Sequence, residues 1–279
     1  MLPTVIKRVL AMNASADQYF EDLITLAEED PTFAVRLIRI ANAPWSAPSK
    51  PIVTVRQAVV RIGAGECAAL ATALAVTRVF VPETAAHRNL WVHSLQCAVA
   101  ARTIAGLLPG REVIADHAYL MGLLHDIGRF VMCQGAAKDF KGIEEIHWGT
   151  PQEMLDAERA LLGFDHVQLG VIVCRRWSLP DGFADLIGLH HDYNLPRSLP
   201  KMVNTNLIRI VQMADLLSTL LMERPQTASL DPAAIAEEVA RVCVRPEWPR
   251  PPVSAYALAS KVVTIRGEAA ALVDSLLDP

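Results

Sequence analysis

Residues 118–129 read AYLMGLLHDIGR, a run of apolar side chains that ends on His125-Asp126. Such a run belongs in a core, and its spacing predicts a helix from Val113 to His125, stopped near Gly128. An imidazole and a carboxylate at its end need partners there. Buried without one, each costs several kcal/mol or shifts its pKa.

The same conflict recurs along the chain. His93 lies on the apolar helix around LWVHS, and His166 starts a helix in GFDHVQLG. His190-His191 ends the run FADLIGLHH, and Asp215 interrupts the apolar face of LIRIVQMADLLSTL. One such residue is explained by a hydrogen bond. Several on separate core helices imply convergence on each other or on a cation. Neutral His nitrogen with Asp oxygen suits Fe, Mn, Co, Ni or Zn better than Ca. Consecutive residues on a helix diverge by about 100°, which would separate adjacent ligands. Both His125-Asp126 and His190-His191 fall near predicted helix ends, where that constraint relaxes. A plainer reading stays open, in which the cluster is a hydrogen-bonded core network without metal. His87, His117 and His147 have no such context and read as surface or packing residues.

Outward from these stretches the chain reads as helical nearly throughout. Alternating Val/Ile/Thr runs between turn pairs are absent, and aromatics make up only 6%. Glu21–Glu29 places Leu23, Ile24 and Leu26 at helical spacing. Asp30-Pro31 reads as an N-cap with Pro at the first helical position, opening a helix to Asn42 that turns Val35, Leu37, Ile38 and Ile40 to a core. Pro44, Pro48 and Pro51 mark a loop, Thr54 caps a helix to Ile62, and Gly63 and Gly65 separate it from Glu66–Phe80. Further helices are expected over Leu90–Leu108, Pro151–Leu162, Val167–Trp177 and Asp181–His191. A stripe of Val203, Leu207, Val211, Ala214 and Leu217 marks another. Pro232–Cys243 is a short helix, RPEWPRPP (245–252) a rigid spacer with Trp248 as a packed residue, and Ser254–Leu277 a last helix. The divisions are 1–85, 86–224 and a C-terminal appendage, 225–279.

The chain has 279 residues, of which 52% are hydrophobic and 20% charged, so it folds without a disulfide or metal staple. A net charge of −4 excludes the footprint of a general nucleic-acid binder. The five cysteines are odd in number and lack a CxxC, and read as thiols in a reducing cytoplasm. Lys7 and Arg8 interrupt the apolar N-terminus, unlike a signal peptide. The most apolar stretch, Cys67–Val81, is shorter than the roughly 20 residues of a membrane span and reads as a core helix.

The order His93, His125-Asp126, His166, His190-His191, Asp215 resembles the metal-binding pattern of the HD superfamily, all-helical metal-dependent phosphohydrolases named for the His-Asp doublet. HDIG is similar to the HD-GYP branch. The wider chain resembles the HDOD domain through LPTV, EEDPTFAVRLIRIANAPW and TVRQAVVRIG in its first half. LWVHS, YLMGLLHDIGR, AERALLGFDHVQLGVIVCRRWSLP and the double His carry the resemblance through the second. It implies an all-α fold in which a helical N-terminal half packs on an HD-type bundle, followed by C-terminal helices, with 1–224 as the HDOD domain. It implies that His93, His125, Asp126 and Asp215 bind a first metal. His166, His190 and His191, with Asp126 bridging, would complete a second.

The departures bear on function. DYNLP follows the double His without a Gly-Tyr-Pro loop. Arg129 stands where the HD-GYP branch commonly has Lys, and Asn89 where a Glu would support a third metal. The cyclic-dinucleotide activity of that branch is therefore not expected. The first expectation is a bacterial signalling module with one or two divalent ions and a protein partner or small phosphorylated effector. The alternative is a phosphohydrolase in which Asp126 bridges the metals and Arg129 neutralises the phosphate. Arg175-Arg176 read as a solvated face rather than a phosphate contact.

Overall fold

The structure is a computed structural model that describes residues 8–9, 12, 18–29, 31–42, 51–77, 80–81, 84–109, 113, 115–146, 148–177, 179, 182–195 and 204–277. Asp30, Pro44, Pro48, Val203, His147 and the LPTV segment lie outside these residues. Among the described residues there are helices and turns and no strand, so the fold is all-α as expected. The chain divides into two compact units, Met1–Pro82 with Gly267–Pro279, and Glu83–Arg266.

The smaller unit is built on α1 (Tyr19–Glu28), α2 (Pro31–Ala41), α3 (Val55–Ile62) and α4 (Ala64–Thr77). Leu23, Ile24 and Leu26 of α1 are buried as their spacing requires. In α2 the buried stripe is Phe33, Leu37 and Ile40, whereas Val35 is 58% exposed. Val35 lies two residues from Phe33, about 200° around the helix, and so on the opposite face. Thr54 caps α3, accepting a bond from the Gln57 amide at 3.2 Å. Cys67, Leu70, Ala73 and Val76 bury α4 within the protein.

The larger unit carries α5 (Ala85–Leu107), α6 (Ala115–Leu124), α7 (Ile127–Gly135), α8 (Ala137–Glu144), α9 (Pro151–Leu162), α10 (His166–Arg176), α11 (Phe183–Leu189) and α12 (Thr205–Glu223). A 3-10 turn (Pro225–Ser229) leads to α13 (Pro232–Cys243) and α14 (Ala255–Ala259). The last helix, α15, runs over Val262–Leu277, and its residues from Gly267 on belong to the smaller unit. The expected single helix Ser254–Leu277 is thus broken at Ser260-Lys261. α5 starts earlier than the apolar pattern indicated, because Thr84 caps it through the His87 amide. Gly128 does not stop a helix; α7 begins directly after Asp126.

The central layer is α5 packed on α6 and α12, with α7 on α10 and α10 on α11 beside it. Trp91, Leu95, Ile104, Leu123, Leu124, Val211 and Leu217 form its core. Caps set the ends of the helices around it. Thr150-Pro151 opens α9, Gly163 closes it at φ +80°, and Asp165 with Gln168 forms a capping box on α10. α13 packs on α12 and α14, and Ile235, Val239, Cys243 and Trp248 are buried. The five cysteines are free and buried. Among the described residues no helix is long and apolar enough to cross a membrane.

Candidate metal centre

His93 sits in mid-α5 and Asp215 in mid-α12, two helices packed side by side. His125 and Asp126 form the junction between α6 and α7, and Asp126 has φ −99°, off the helical path. His166 is the first residue of α10, while His190 and His191 follow the last residue of α11. At His125-Asp126 the chain has left the helical path, so the 100° divergence does not separate the side chains; His190 caps α11 with helical dihedrals, and its ring still lies 4.0 Å from that of His191, centroid to centroid.

Two backbone devices hold these ends. Gly128 lets α7 meet the start of α10 backbone to backbone. A Cβ there would lie 1.9 Å from the His166 carbonyl oxygen, so only Gly fits. Gln212 of α12 donates to the carbonyls of Leu189 (3.0 Å) and Asp192 (2.8 Å), holding the double-His turn one helical turn from Asp215.

All seven side chains converge. One cluster is His93, His125 and Asp215, and the other is Asp126, His166, His190 and His191. In the first, His93 Nε2 is 3.3 Å from His125 Nε2 and 3.2 Å from Asp215 Oδ1. In the second, His166 Nε2 is 3.2 Å from His191 Nε2. Asp126 joins them. Its Oδ2 is 3.8 Å from His93 Nε2 and 3.7 Å from His125 Nε2. Its Oδ1 is 3.4 Å from His166 Nε2 and 3.5 Å from His190 Nε2.

The far side of each ring fixes its tautomer. His125 Nδ1 donates to the Gly122 carbonyl at 2.8 Å, and His190 Nδ1 to the Ile187 carbonyl at 2.6 Å. His166 Nδ1 donates to Glu158 Oε2 at 2.8 Å. Ser218 Oγ donates its single proton to a carbonyl oxygen, of His93 (3.1 Å) or Gln96 (3.2 Å), and accepts from His93 Nδ1 at 3.1 Å. These bonds take up the outward Nδ1 of four rings and leave Nε2 of each pointing inward. Asp126 Oδ1, His190 Nε2 and His191 Nδ1 are buried with no hydrogen-bond partner.

The electrostatics follow from this crowding. Burial pushes His125 down to about 4, against the pull of Asp126 and Asp215. Burial, then the His190 charge, also hold His191 well below its ordinary value. Burial opposes ionisation of Asp126 and Asp215, yet both stay below the usual carboxylate range. His125 and Arg129 lower the first and His93 lowers the second. Acceptor lone pairs and carboxylates facing each other at 3.2–3.8 Å repel unless a cation lies among them. The residues therefore fit a divalent transition-metal site, with two His and two carboxylates on one side and three His and a shared carboxylate on the other.

The centre opens on one side into a cavity of about 670 Å³, lined at its base by His93, Asp126, His191 and Asp215. Arg129 lines it too, its Nη1 at 3.3 Å from Asp126 Oδ2. Asn89 also borders it, one turn before His93. Arg175 and Arg176 are exposed on α10 and border no part of it.

The sequence reading missed Glu158, which is 1% exposed and also accepts the His166 amide proton at 2.8 Å. Its signal was an acid on the buried face of α9, three residues after Leu155. Ser218 and Gln212 carried no such signal, since each is an ordinary polar residue until its neighbours are known. The cavity residues Tyr193, Arg241 and Arg245 were missed as well.

The match to the HDOD domain family covers residues 1–193, and the chain belongs to that family. Two solved structures are similar over 99% of this chain. One is a candidate phosphohydrolase from Shewanella amazonensis SB2B, at 20% identity, TM-score 0.69 and 92% of its own chain. The other is a candidate signal transduction protein from Marinobacter aquaeolei VT8, at 22% identity, TM-score 0.69 and 59% of its own chain. At these identities the likeness is one of fold. A protein of Treponema pallidum (strain Nichols) is 24% identical over 199 residues, 71% of this chain. This chain spans only 38% of that relative's length.

Proposed function

We propose that this HDOD protein is a signalling module whose dinuclear metal centre binds and hydrolyses a small phosphoester. One observation carries the reading. Asp126 extends one carboxylate oxygen into each of two His clusters, and the base of an open cavity is made of the same residues. His93, His125, Asp126 and Asp215 would hold one ion, and His166, His190, His191 and Asp126 the other. Bound there, a divalent pair supplies Lewis-acid polarisation of water and of phosphoryl oxygens. The chain's own groups do the rest. The Nδ1 bonds aim the imidazoles and fix which ring nitrogen faces the ions, and Arg129 meets a phosphate oxygen from the cavity side as a charge-assisted donor. Fe, Mn, Zn, Co and Ni all match the donor set.

The test is elemental analysis of freshly purified protein beside His125→Ala, with hydrolysis of bis(p-nitrophenyl) phosphate as the activity readout. About two equivalents of transition metal, reduced in the variant, together with metal-dependent turnover support the reading. Near-zero metal in both proteins, with no uptake of added Mn, Fe or Zn, returns the cluster to a structural network. Metal and phosphate binding without turnover favours a second reading, an effector-sensing module acting through a protein partner. The missing Gly-Tyr-Pro loop favours that reading. In its place Tyr193 lies under the Arg245 guanidinium, 4.6 Å from ring centroid to cation.

A further inference from the structure

The base of the cavity accounts for one phosphate. Part of its lining comes from a stretch beyond Asp215 and beyond the family match, which ends at residue 193. There α13 and the segment after it present Arg241, Val242 and Arg245 to the same space. Arg245 is held in place. Its guanidinium carbon lies over the Tyr193 ring, 4.6 Å from the centroid, and Trp248, 6% exposed, meets that ring at a steep angle with centroids 6.3 Å apart. A cation–π contact engages no hydrogen-bond acceptor, so a guanidinium held this way keeps N–H donors for an anion. Its neighbouring acid is Glu247, 3.5 Å from Nε. Arg241 pairs with Glu238 on its own helix while its side chain stays 52% exposed. Exposed pairs of this kind are weak and leave most of a five-donor fork available.

The cationic side chains that line the cavity besides the histidines are Arg129, beside Asp126, and the pair Arg241 and Arg245. A volume near 670 Å³ exceeds what a lone phosphate fills, and Leu216, Trp148 and Met222 add apolar surface to the lining.

From this arrangement we infer that Arg241 and Arg245 form a second anion subsite, and that the ligand is a phosphoester carrying another anionic group at its far end. The inference rests on the proposed phosphoester centre, and deepens it by naming the residues that choose among phosphoesters. Recognition by two arginines on a separate segment makes the C-terminal part of the chain the source of specificity.

The experiment is calorimetric titration of the manganese-loaded full chain with propylphosphonate and with 1,3-propanediphosphonate, probes that differ only in the second anion. The bisphosphonate is expected to bind at least about tenfold more tightly, since hydrogen bonds to charged groups are among the stronger ones. In Arg241→Gln/Arg245→Gln the ratio of the two affinities should fall to within about twofold. If loss of the Tyr193 stack unfolds that variant, Arg241→Gln alone decides, with an expected fall of about threefold in the ratio. Equal affinities in the unaltered protein, or a preference that survives both variants, overturn the inference while the phosphoester centre stands. Failure of propylphosphonate to bind at all overturns the centre, and the inference with it.

Discussion

Glu158 tests how far the rings depend on what lies behind them. Its carboxylate takes both the amide and the Nδ1 proton of His166, so it fixes the tautomer and makes Nε2 a better donor. Glu158→Gln keeps the shape but loses the charge. Metal affinity at the three-His cluster should fall about 10–100-fold, read as bound metal after dialysis against a graded chelator. Retention equal to the unaltered protein would mean that the ring needs no carboxylate. The pH response of the metal-free protein follows from the same crowding. His125 and His191 have lowered folded values, so below about 6.5 the unfolded chain takes up protons that the folded one refuses. That stability is complete above 6.5 and declines as the pH falls toward 4. His190 runs the other way. Burial opposes its protonation, but Asp126 raises it, so its contribution is present at low pH and lost as pH rises. The lowering of His125, to about 4, and of His191, well below its ordinary value, outweighs the rise of His190, and the lowered Asp126 and Asp215 add their loss at still lower pH. The urea midpoint of chelator-treated protein should therefore drop from pH 7 to 4.5. A midpoint that climbs on acidification contradicts the account.

Helix ends decide what the centre can be. Helical spacing places His93 and Asp215 on buried faces, and that much is legible from the apolar pattern. The doublets work because α6 stops at Leu124 and α11 at Leu189. α7 can start at Ile127 only because Gly128 has no side chain to strike the His166 carbonyl. Gly128→Ala puts a methyl against backbone that cannot rotate away. The expected loss is at the upper end of the roughly 1–3 kcal/mol of overpacking, or beyond it. Bound metal should fall as well, because Asp126 and His166 move apart. Thermal unfolding with metal analysis checks both, and an unshifted midpoint would show that α7 and α10 can separate freely. Sequence reasoning took the same Gly as a stop signal, since a helix-breaking residue and a close-packing residue look alike without the neighbour.

Within the larger unit, the segment after residue 224 closes core as well as cavity. Ile235, Val239, Cys243 and Trp248 are each 6% exposed or less, and α13 packs along α12, the helix that carries Asp215. A chain ending at residue 224 would expose that apolar face. Each large side chain so uncovered forfeits about 1.5–3 kcal/mol of burial, which together rivals the stability of a domain. The truncated chain should lose its cooperative thermal transition or bind a hydrophobic dye before melting. A sharp transition near that of the full chain would show that this segment is dispensable to the fold.

The all-α class, most helix positions and the identity of the converging His and Asp residues were set by the sequence alone. Apolar periodicity is a local property, and a charged or imidazole group within it announces itself without coordinates. The ring tautomers, the Asp126 oxygens divided between two clusters, the buried Glu158 behind His166 and the Arg241–Arg245 wall were decided only by tertiary structure. Each depends on a contact between groups far apart in the chain or on separate helices, where direction and distance, not composition, determine whether a polar side chain holds a ligand or faces water.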